Sequence, residues 1–342
     1  MASIPTLHCN TSLFVAKHSG CPASRWQDAI APLLVQQHSL TSMQNLTFVN
    51  IGANKGYNVA EFLQRYHHRG GRAAPSSEAW HTELMKAGTE QRLRVRYGCG
   101  LCNACRSRPP RARQHVAVNV HAVEMVKANA RVLRRLFSAF SIPGTVHHLA
   151  MSNYSGVARY RAAPSIGLEH YELGKDVDKY RSERVRCATL DEFAALHLGW
   201  PRGTPPQLPN RQLPLIDLLS VDVEGQDALV LEGATELLGA KAVAVLEFEF
   251  IGRGFWRSDH QDQRLLRDVL RKLESFGYRC FWQGESGILA PASGPYWCDA
   301  FQFRIRSNLV CSHLPEVLRE FDALTQRTVK RGHLKYSGAM TE

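Results

Sequence analysis

The sequence lacks a long apolar segment. No apolar run in its 342 residues approaches the roughly 20 residues that a helix needs to span a bilayer, so we expect no membrane span. The first 26 residues lack the apolar core and basic start of a secretory signal, and they contain no acidic residue. We therefore expect a cytoplasmic location, with organelle targeting as an open alternative.

Acidic residues are scarce, and the shortage is local. The chain has 31 Asp and Glu against 42 Lys and Arg, a net charge of +11. Residues 65–113 alone hold eleven Lys and Arg against three Glu, a net of +8. Such a segment can attract phosphate, acidic glycan or nucleic acid. The competing interpretation is a solvated, partly disordered insert.

Cysteine is too sparse for a small disulfide scaffold, because nine residues are spread over a long chain. Six of them are scattered, several inside apolar runs, and we expect these to act as small buried hydrophobes. The scattered six are Cys9, Cys21, Cys187, Cys280, Cys298 and Cys311.

The other three cysteines, Cys99, Cys102 and Cys105, form the cluster "CGLCNAC". Two-residue spacing suits a metal, and three thiolates of one loop could bind a structural Zn²⁺. His81, His115 or another cysteine could be the fourth ligand. A disulfide-forming or inert loop is the alternative, while an iron–sulfur cluster would want a fourth cysteine.

Apolar runs alternate with amphipathic segments along most of the chain. This alternation predicts βαβ units and an α/β fold with a mostly parallel sheet and helices on both faces. "YRCFWQ" and "DAFQFRIR" predict two closing strands at an antiparallel edge. The expected organisation is an extension over 1–45, a main domain over 46–310 with a basic insert at about 70–114, and a tail over 311–342.

Polar residues and glycines follow the predicted strands. Ligands of open α/β sheets bind at the carboxyl ends of the strands, so these positions are the candidate site. They are residues 50–56 after the first strand, Glu124 after the second, residues 150–153 after the third, residues 222–225 after the fourth, and Glu247 with Glu249 at the fifth.

Gly52 and Gly56 allow the backbone to turn tightly and to approach a ligand. A carboxylate after the second strand can accept hydrogen bonds from both hydroxyls of a ribose. Glu124 lies 68 residues past Gly56, where about 20 is usual in a dinucleotide fold. The excess matches the irregular basic segment in size, so we interpret that segment as an insert.

Six blocks, in order, resemble the FkbM family of S-adenosylmethionine (SAM)-dependent methyltransferases. The most specific is the D-V-E-G-x-[DE]-x-x-V-L-x-G-A pattern at residues 222–234. The others are "VNIGANKG", "VHAVEMVKANARVL", "HHLAMSNYSG", "VRCATLDEF" and "FGYRCFW". The resemblance implies a Rossmann-like SAM methyltransferase fold, and typically methyl transfer to a hydroxyl oxygen.

The resemblance also implies roles for individual residues. The glycine loop would wrap the amino-acid part of SAM, Glu124 would hold the ribose, and the segment after the third strand would line the adenine. Many relatives begin the loop with Asp or Glu where this chain has Asn50, whose amide can still bond the ligand's ammonium. The implied cofactor residues are Asn50, Gly52, Ala53, Asn54, Gly56, Glu124, Ala150, Met151 and Ser152.

Asp222 and Glu224 are the candidate catalytic residues. A carboxylate near the methyl donor can orient an acceptor hydroxyl and take its proton, an effect of about 10²–10⁴-fold. Asp222 could instead brace the turn before Gly225. Glu247 and Glu249 share one face of a strand, where a structural partner is as consistent with the pattern as substrate contact.

The leading hypothesis is a SAM-dependent methyltransferase that acts on a hydroxyl of a sugar, lipid or small metabolite. The alternative is a non-catalytic or nucleic-acid-associated module that keeps the fold and binds through the basic insert. SAM binding would separate the two.

Overall fold

The structure is a computed structural model. It describes residues 15, 25–39, 45–69, 72–96, 98, 110, 114–161, 165–167, 182–201, 215–252, 254–256, 261–284, 287–302 and 307–330.

The described strands and helices alternate over most of the chain. The strands are β1 (Asn45–Ile51), β2 (His68–Arg69), β3 (Arg72–Ala73), β4 (Arg94–Val95), β5 (Ala117–Glu124), β6 (Gly144–His148), β7 (Ala150–Met151), β8 (Gly156–Arg161), β9 (Ser165–Ile166), β10 (Ser182–Ala188), β11 (Ile216–Val221), β12 (Val243–Phe250), β13 (Arg279–Gln283), β14 (Leu289–Pro291) and β15 (Ser307–Ser312). The α-helices are α1 (Trp26–Ser39), α2 (Tyr57–Tyr66), α3 (Ser77–Glu90), α4 (Lys127–Ala139), α5 (Leu190–His197), α6 (Asp227–Glu232), α7 (Thr235–Gly239), α8 (Leu266–Ser275) and α9 (Pro315–Lys330).

Eight strands form the main sheet in the order β14-β13-β15-β12-β11-β1-β5-β6. The pairs from β12 through β11, β1 and β5 to β6 are parallel, whereas β15 is antiparallel to both β12 and β13. The chain runs outward from β1 to β6 and then returns to β11 on the other side of β1. The strand order therefore reverses between β1 and β11, which is where open α/β sheets bind ligands.

The two faces of the sheet carry separate apolar cores. One core packs α1, α2, α3, α4 and α9 against the sheet, for example through Trp80, Leu133 and Phe321. The other packs α5 to α8, for example through Phe193 and Leu270. The predicted α/β fold, with a mostly parallel sheet, helices on both faces and an antiparallel edge, is confirmed.

Local signals explain where several helices begin. The Ser76 side chain accepts a hydrogen bond from the Ala79 N–H (3.1 Å), and that of Thr189 accepts one from the Glu192 N–H (3.0 Å). These caps satisfy amide groups that have no partner inside the helix. The Asp191 carboxylate caps a different helix, α7, by accepting from the Glu236 N–H (3.0 Å).

The last strand lies further along the chain than the sequence predicted. Within the "DAFQFRIR" segment, Asp299–Phe301 is a 3₁₀ helix, and the strand that pairs with β12 and β13 is Ser307–Ser312. The prediction was wrong because the aromatic run fits a strand pattern, while its Phe301 instead packs edge-on against Trp282.

Segments expected outside the main domain also contribute to its core. In α1, Trp26 is buried and its ring contacts Phe321 of α9, with ring centroids 5.8 Å apart. The Trp26 indole also donates to the Gln283 side chain of β13 (2.9 Å). The two helices pack on each other beside the antiparallel edge of the sheet.

Two of the scattered cysteines form a disulfide rather than acting as separate buried hydrophobes. Cys280 of β13 and Cys311 of β15 face each other across the antiparallel pair, and both are buried. The apolar pattern around each cysteine predicted its burial. It did not predict the pairing, because the two are 31 residues apart and the pattern does not give the register between β13 and β15. In the described part of the chain, no helix is long and apolar enough to cross a membrane.

Candidate functional site

The loop after β1 crosses the carboxyl ends of its two neighbouring strands. The N–H groups of Gly52 and Ala53 donate to the Val123 carbonyl of β5 (2.9 and 3.0 Å). On the other side, the Asp222 N–H donates to the Ile51 carbonyl (3.0 Å). The glycine loop, residues 50–56, is thereby fixed at the point where the strand order reverses.

Glycine is required at two positions of this loop for different structural reasons. Both have φ of 78°, a region that favours glycine. A Cβ on Gly52 would lie 1.8 Å from the Asp222 carbonyl oxygen, so only glycine allows the ends of β1 and β11 to meet. A Cβ on Gly56 would lie 2.6 Å from the Trp80 ring, so Gly56 lets α3 pack against the loop.

Asn50 and Asn54 contain buried polar atoms that the described residues leave unsatisfied. Asn50 is fully buried, and among described residues neither its amide oxygen nor its amide nitrogen has a hydrogen-bond partner. The Asn54 side-chain oxygen is in the same state, and Asn54 has φ of 46°. Buried polar groups are nearly always hydrogen-bonded, so these atoms fit a site completed by a polar ligand.

Glu124 lies at the predicted strand end, and its carboxylate also holds the glycine loop. One oxygen accepts from the Asn54 N–H and the other from the Val126 N–H, each at 2.7 Å. Burial raises the pKa of Glu124 to about 7, and hydrogen bonds from Val126, Asn54 and the Asn129 side chain oppose that rise. These three donors leave about one of the four lone-pair sites of the carboxylate, with which Glu124 could accept from a ribose hydroxyl.

Ala150, Met151 and Ser152 are buried beside β10. Ala150 and Met151 form β7 and pair with β10, and the Ser152 N–H donates to the Ala188 carbonyl (3.1 Å). The Ser152 carbonyl lies 2.2 Å from where a Cβ on Gly233 would be. These contacts fix the backbone of the segment that the sequence assigned to the adenine.

Asp222 and Glu224 both lie in the turn after β11, and both are partly exposed. Glu224 adopts φ of 55°, which is unfavourable for a residue other than glycine, asparagine or aspartate. Such strain is found preferentially at functional sites. The Phe255 N–H, from the loop after β12, donates to the Gly225 carbonyl (2.9 Å) and closes this turn on one side.

Asp227 braces the turn, a role that the sequence reading considered for Asp222. Its buried carboxylate accepts from the N–H groups of Gly225 (3.2 Å), Val223 (3.5 Å) and Glu249 (3.4 Å). Burial, together with the nearby Asp222 charge, raises the pKa of Asp227 well above its usual range. The sequence signal was an acidic residue in the first turn of a helix.

Glu247 has a structural partner, as one of the two interpretations allowed. The Gln283 side chain donates to its carboxylate (2.9 Å), and burial raises the pKa of Glu247 to about 7, with smaller contributions from Glu61 and Asp222. The register of the sheet aligns Asn50, Ser220 and Glu247 in one row across β1, β11 and β12. A polar row therefore crosses the sheet at the level of the buried Asn50 amide.

The predicted zinc ligands Cys99, Cys102 and Cys105 lie outside the described residues. Within the described ranges, no group of three or more His, Cys, Asp or Glu side chains is arranged to hold a metal. His81, one candidate fourth ligand, has its Nδ1 2.8 Å from the Tyr57 hydroxyl, which donates to the Gly98 carbonyl (2.6 Å). Because the Tyr57 O–H already donates to Gly98, His81 donates to the Tyr57 oxygen from Nδ1.

The strand order and the loop define the class of the protein. Read outward from each side of β1, the order β6-β5-β1-β11-β12 is the 3-2-1-4-5 order of a Rossmann-like sheet. The family model described as the Methyltransferase FkbM domain matches residues 206–280. This segment includes β11, the turn with Asp222 and Glu224, and β12, and the match confirms the resemblance to FkbM methyltransferases there.

Comparison with solved structures finds a crystal structure of Methyltransferase FkbM from Methylobacillus flagellatus KT. The sequences are 11% identical, and the alignment covers 78% of this chain but only 43% of that chain, with a TM-score of 0.37. A likeness at this level transfers no residue role and no activity. Comparison with curated proteins gives no match.

Proposed function

We propose that the protein is a SAM-dependent methyltransferase that methylates a hydroxyl group of a sugar, lipid or small metabolite. The observation that carries the proposal is the fully buried Asn50 amide, for which the described residues provide no hydrogen-bond partner. It lies at the strand-order reversal, next to a turn matched by a methyltransferase family model. A polar, non-phosphate ligand portion suits such an amide. SAM has this chemistry in its amino-acid part.

The set of polar groups at these strand ends fits SAM. Asn50, Asn54 and the loop backbone would hold the amino-acid part, Glu124 would accept from the ribose, and residues 150–152 would line the adenine. SAM would supply a methyl group that its sulfonium already activates. The protein's task is then to exclude water and to align the acceptor, which can contribute roughly 7–11 kcal/mol.

Asp222 and Glu224 would act on the acceptor. Both are partly exposed in the turn after β11, so a hydroxyl from outside can reach them. A carboxylate there would accept the proton of the acceptor hydroxyl as the methyl group passes to its oxygen and S-adenosylhomocysteine leaves. Asp227 is excluded from this role because its carboxylate is buried and holds three backbone N–H groups.

Calorimetric titration with S-adenosylhomocysteine, the demethylated form of SAM, tests the proposal. Wild-type protein should bind, and Asn50→Leu should weaken binding at least tenfold. The variant should melt at an equal or higher temperature, since leucine removes two buried polar atoms that have no partner among the described residues. Unchanged affinity in Asn50→Leu, or no binding by wild type, would contradict the proposal. The second outcome would favour the non-catalytic module.

Labelled methyl transfer from SAM to a panel of sugars, lipids and hydroxylated metabolites tests the chemistry. Asp222→Asn and Glu224→Gln should lower turnover far more than affinity for S-adenosylhomocysteine, because the interaction matters most in the transition state. Full turnover in the double variant would remove both residues from the mechanism. The zinc prediction for Cys99, Cys102 and Cys105 is tested separately by elemental analysis of protein prepared without chelators.

A further inference from the structure

Two segments that are far apart in sequence meet beside the glycine loop. Residues 94–96 follow α3, and residues 165–167 follow β8; together we name them the strap. Their strands β4 and β9 pair in parallel, and the Arg96 N–H donates to the Ile166 carbonyl (2.8 Å). Ile166 is fully buried in the core that contains α2, α3 and α4, so the strap is part of the folded domain.

Lys55 of the glycine loop bonds to the strap, although a lysine in such a loop could be expected to face the ligand. Only 3% of Lys55 is exposed. Its ammonium donates to the Gly167 carbonyl (3.1 Å) and to the Arg96 carbonyl (3.4 Å), one from each strap segment. The Lys55 carbonyl accepts from the Trp80 indole (2.8 Å), so α3 holds the same residue through its backbone.

Gly167 also bonds to the residue that supports Glu124. The Gly167 N–H donates to the Asn129 side-chain oxygen (2.9 Å), and the Asn129 amide donates to the Glu124 carboxylate. Asn129 is 1% exposed and lies in the first turn of α4. Gly167 is therefore linked by hydrogen bonds to two parts of the site. Its carbonyl contacts Lys55 of the glycine loop, and its N–H contacts Asn129, which contacts Glu124.

Gly167 is fitted to this junction. It has φ of 73°, and a Cβ there would lie 2.6 Å from Lys55 Cδ. A larger residue would displace the lysine from its two carbonyl partners. Among the described strands, β4 and β9 pair only with each other, so this arrangement is separate from the main sheet.

We propose that the strap positions the SAM-binding loop and the Glu124 carboxylate. Lys55 and Asn129 are the positioning residues. The proposal rests on the proposed SAM-binding function. Lys55 fixes the loop around the amino-acid part, whereas Asn129 fixes Glu124 against the ribose. The strap thus gives part of the basic insert a defined role at the site.

Binding of two different ligands distinguishes the role of Lys55 from that of Asn129. S-adenosylhomocysteine has the amino-acid part, and 5′-methylthioadenosine keeps ribose and adenine but lacks it. Lys55→Met should weaken S-adenosylhomocysteine binding about tenfold and methylthioadenosine binding less than about threefold, because only the loop geometry is lost. Asn129→Leu should weaken both ligands by similar factors.

Lys86→Met is the matched control, because it removes an exposed lysine of α3 in the same insert and should leave both affinities unchanged. If Lys55→Met fails to fold by thermal melting, Gly167→Ala replaces it, since its methyl group would displace the lysine. Because Gly167 also bonds to Asn129, this variant should weaken both ligands, and S-adenosylhomocysteine more than methylthioadenosine. Folded variants that bind both ligands like wild type would overturn the proposal, as would equal losses of both ligands in Lys55→Met. Wild-type protein that binds neither ligand would instead refute the proposed function.

Discussion

At the scale of single residues, three carboxylates near the strand-order reversal have different environments. Asp222 is partly exposed, Asp227 is buried and bonded to three N–H groups, and Glu124 is buried with both oxygens bonded to backbone N–H groups. A residue type at a strand end does not distinguish these cases. Their hydrogen-bond partners distinguish them, because a carboxylate that accepts from several backbone N–H groups stabilises the backbone and is less available to act as a base.

We predict that Asp227 and Asp222 separate stability from catalysis. Asp227→Ala should lower the free energy of unfolding by about 2–3 kcal/mol, because it leaves buried N–H groups unsatisfied. Asp222→Ala should cost less than about 1 kcal/mol, since its site is open to water. Urea unfolding measures both values. Equal losses of unfolding free energy in the two variants would mean that Asp222 also has a structural role in the turn.

At the scale of secondary-structure elements, three histidines pack where α5 lies against the edge of the sheet. The Nδ1 of His121 in β5 is 3.1 Å from the Nε2 of His147 in β6, and the rings of His147 and His197 are 4.6 Å apart. Burial is the main reason why the pKa of His121 falls to about 4 and that of His147 to about 3, and neighbouring histidines lower both further. The packing of α5 therefore requires neutral imidazoles.

We predict that this contact weakens in acid. Unfolded histidine titrates near 6.5, so the unfolded chain takes up protons first as the pH falls, and stability is lost from about pH 6.5 down to about pH 4. His121 and His147 together should account for about 1–3 kcal/mol of this loss, a value discounted for the screening of partly exposed rings by solvent. Melting temperatures at pH 7.5 and 5.0 measure it.

The control uses His147→Phe, which keeps a ring against Phe193 but cannot be protonated. Its melting temperature should fall less between the two pH values than that of wild type. The raised pKa values of Glu124 and Glu247, about 7 each, act in the opposite direction, since protonation of a raised carboxyl favours the folded state. The difference between variant and wild type isolates the histidine effect, and an identical pH dependence in both proteins would contradict the prediction.

At the scale of the whole molecule, the antiparallel edge is covalently closed. The Cys280–Cys311 disulfide joins β13 to β15, and Cys298 is also disulfide-bonded. The cytoplasmic location stays a prediction, and these bonds count against it because cytosolic thiols are normally kept reduced. The same edge receives α1 and α9, so both ends of the described chain meet there.

We predict that the Cys280→Ala, Cys311→Ala double variant loses about 2–4 kcal/mol of stability, as is typical when a disulfide is removed. Guanidinium unfolding without reductant measures the loss. Reductant also breaks the Cys298 disulfide, so both proteins are compared in its presence, where the stability of wild type should approach that of the variant. Cys187→Ala removes a buried free thiol, and this variant should lose stability on reduction as wild type does. Wild-type stability equal to that of the double variant without reductant would show that the bond does not form in solution.

The sequence predicted the fold class and the strand ends well, because both depend on local patterns. Alternation of buried strands with amphipathic helices indicated a parallel sheet, and the glycines marked the tight turn that the structure has at Gly52. It failed at the last strand, because Asp299–Phe301 fitted a strand pattern but forms a 3₁₀ helix, and the strand is Ser307–Ser312. The local sequence pattern predicts that a residue is buried, but it does not predict which distant segment packs against it.

The sequence by itself determined the α/β class, the glycine loop and the D-V-E-G block that the family model matches. Only the tertiary structure decided that Asp227 braces the turn, that Glu124 also holds the loop, and that Lys55 bonds to Gly167. Lys55 and Gly167 are 112 residues apart, and Glu124 and Asn54 are 70 apart. Side-chain partners at such separations depend on how the whole chain packs, and hydrophobic periodicity within one segment contains no record of them.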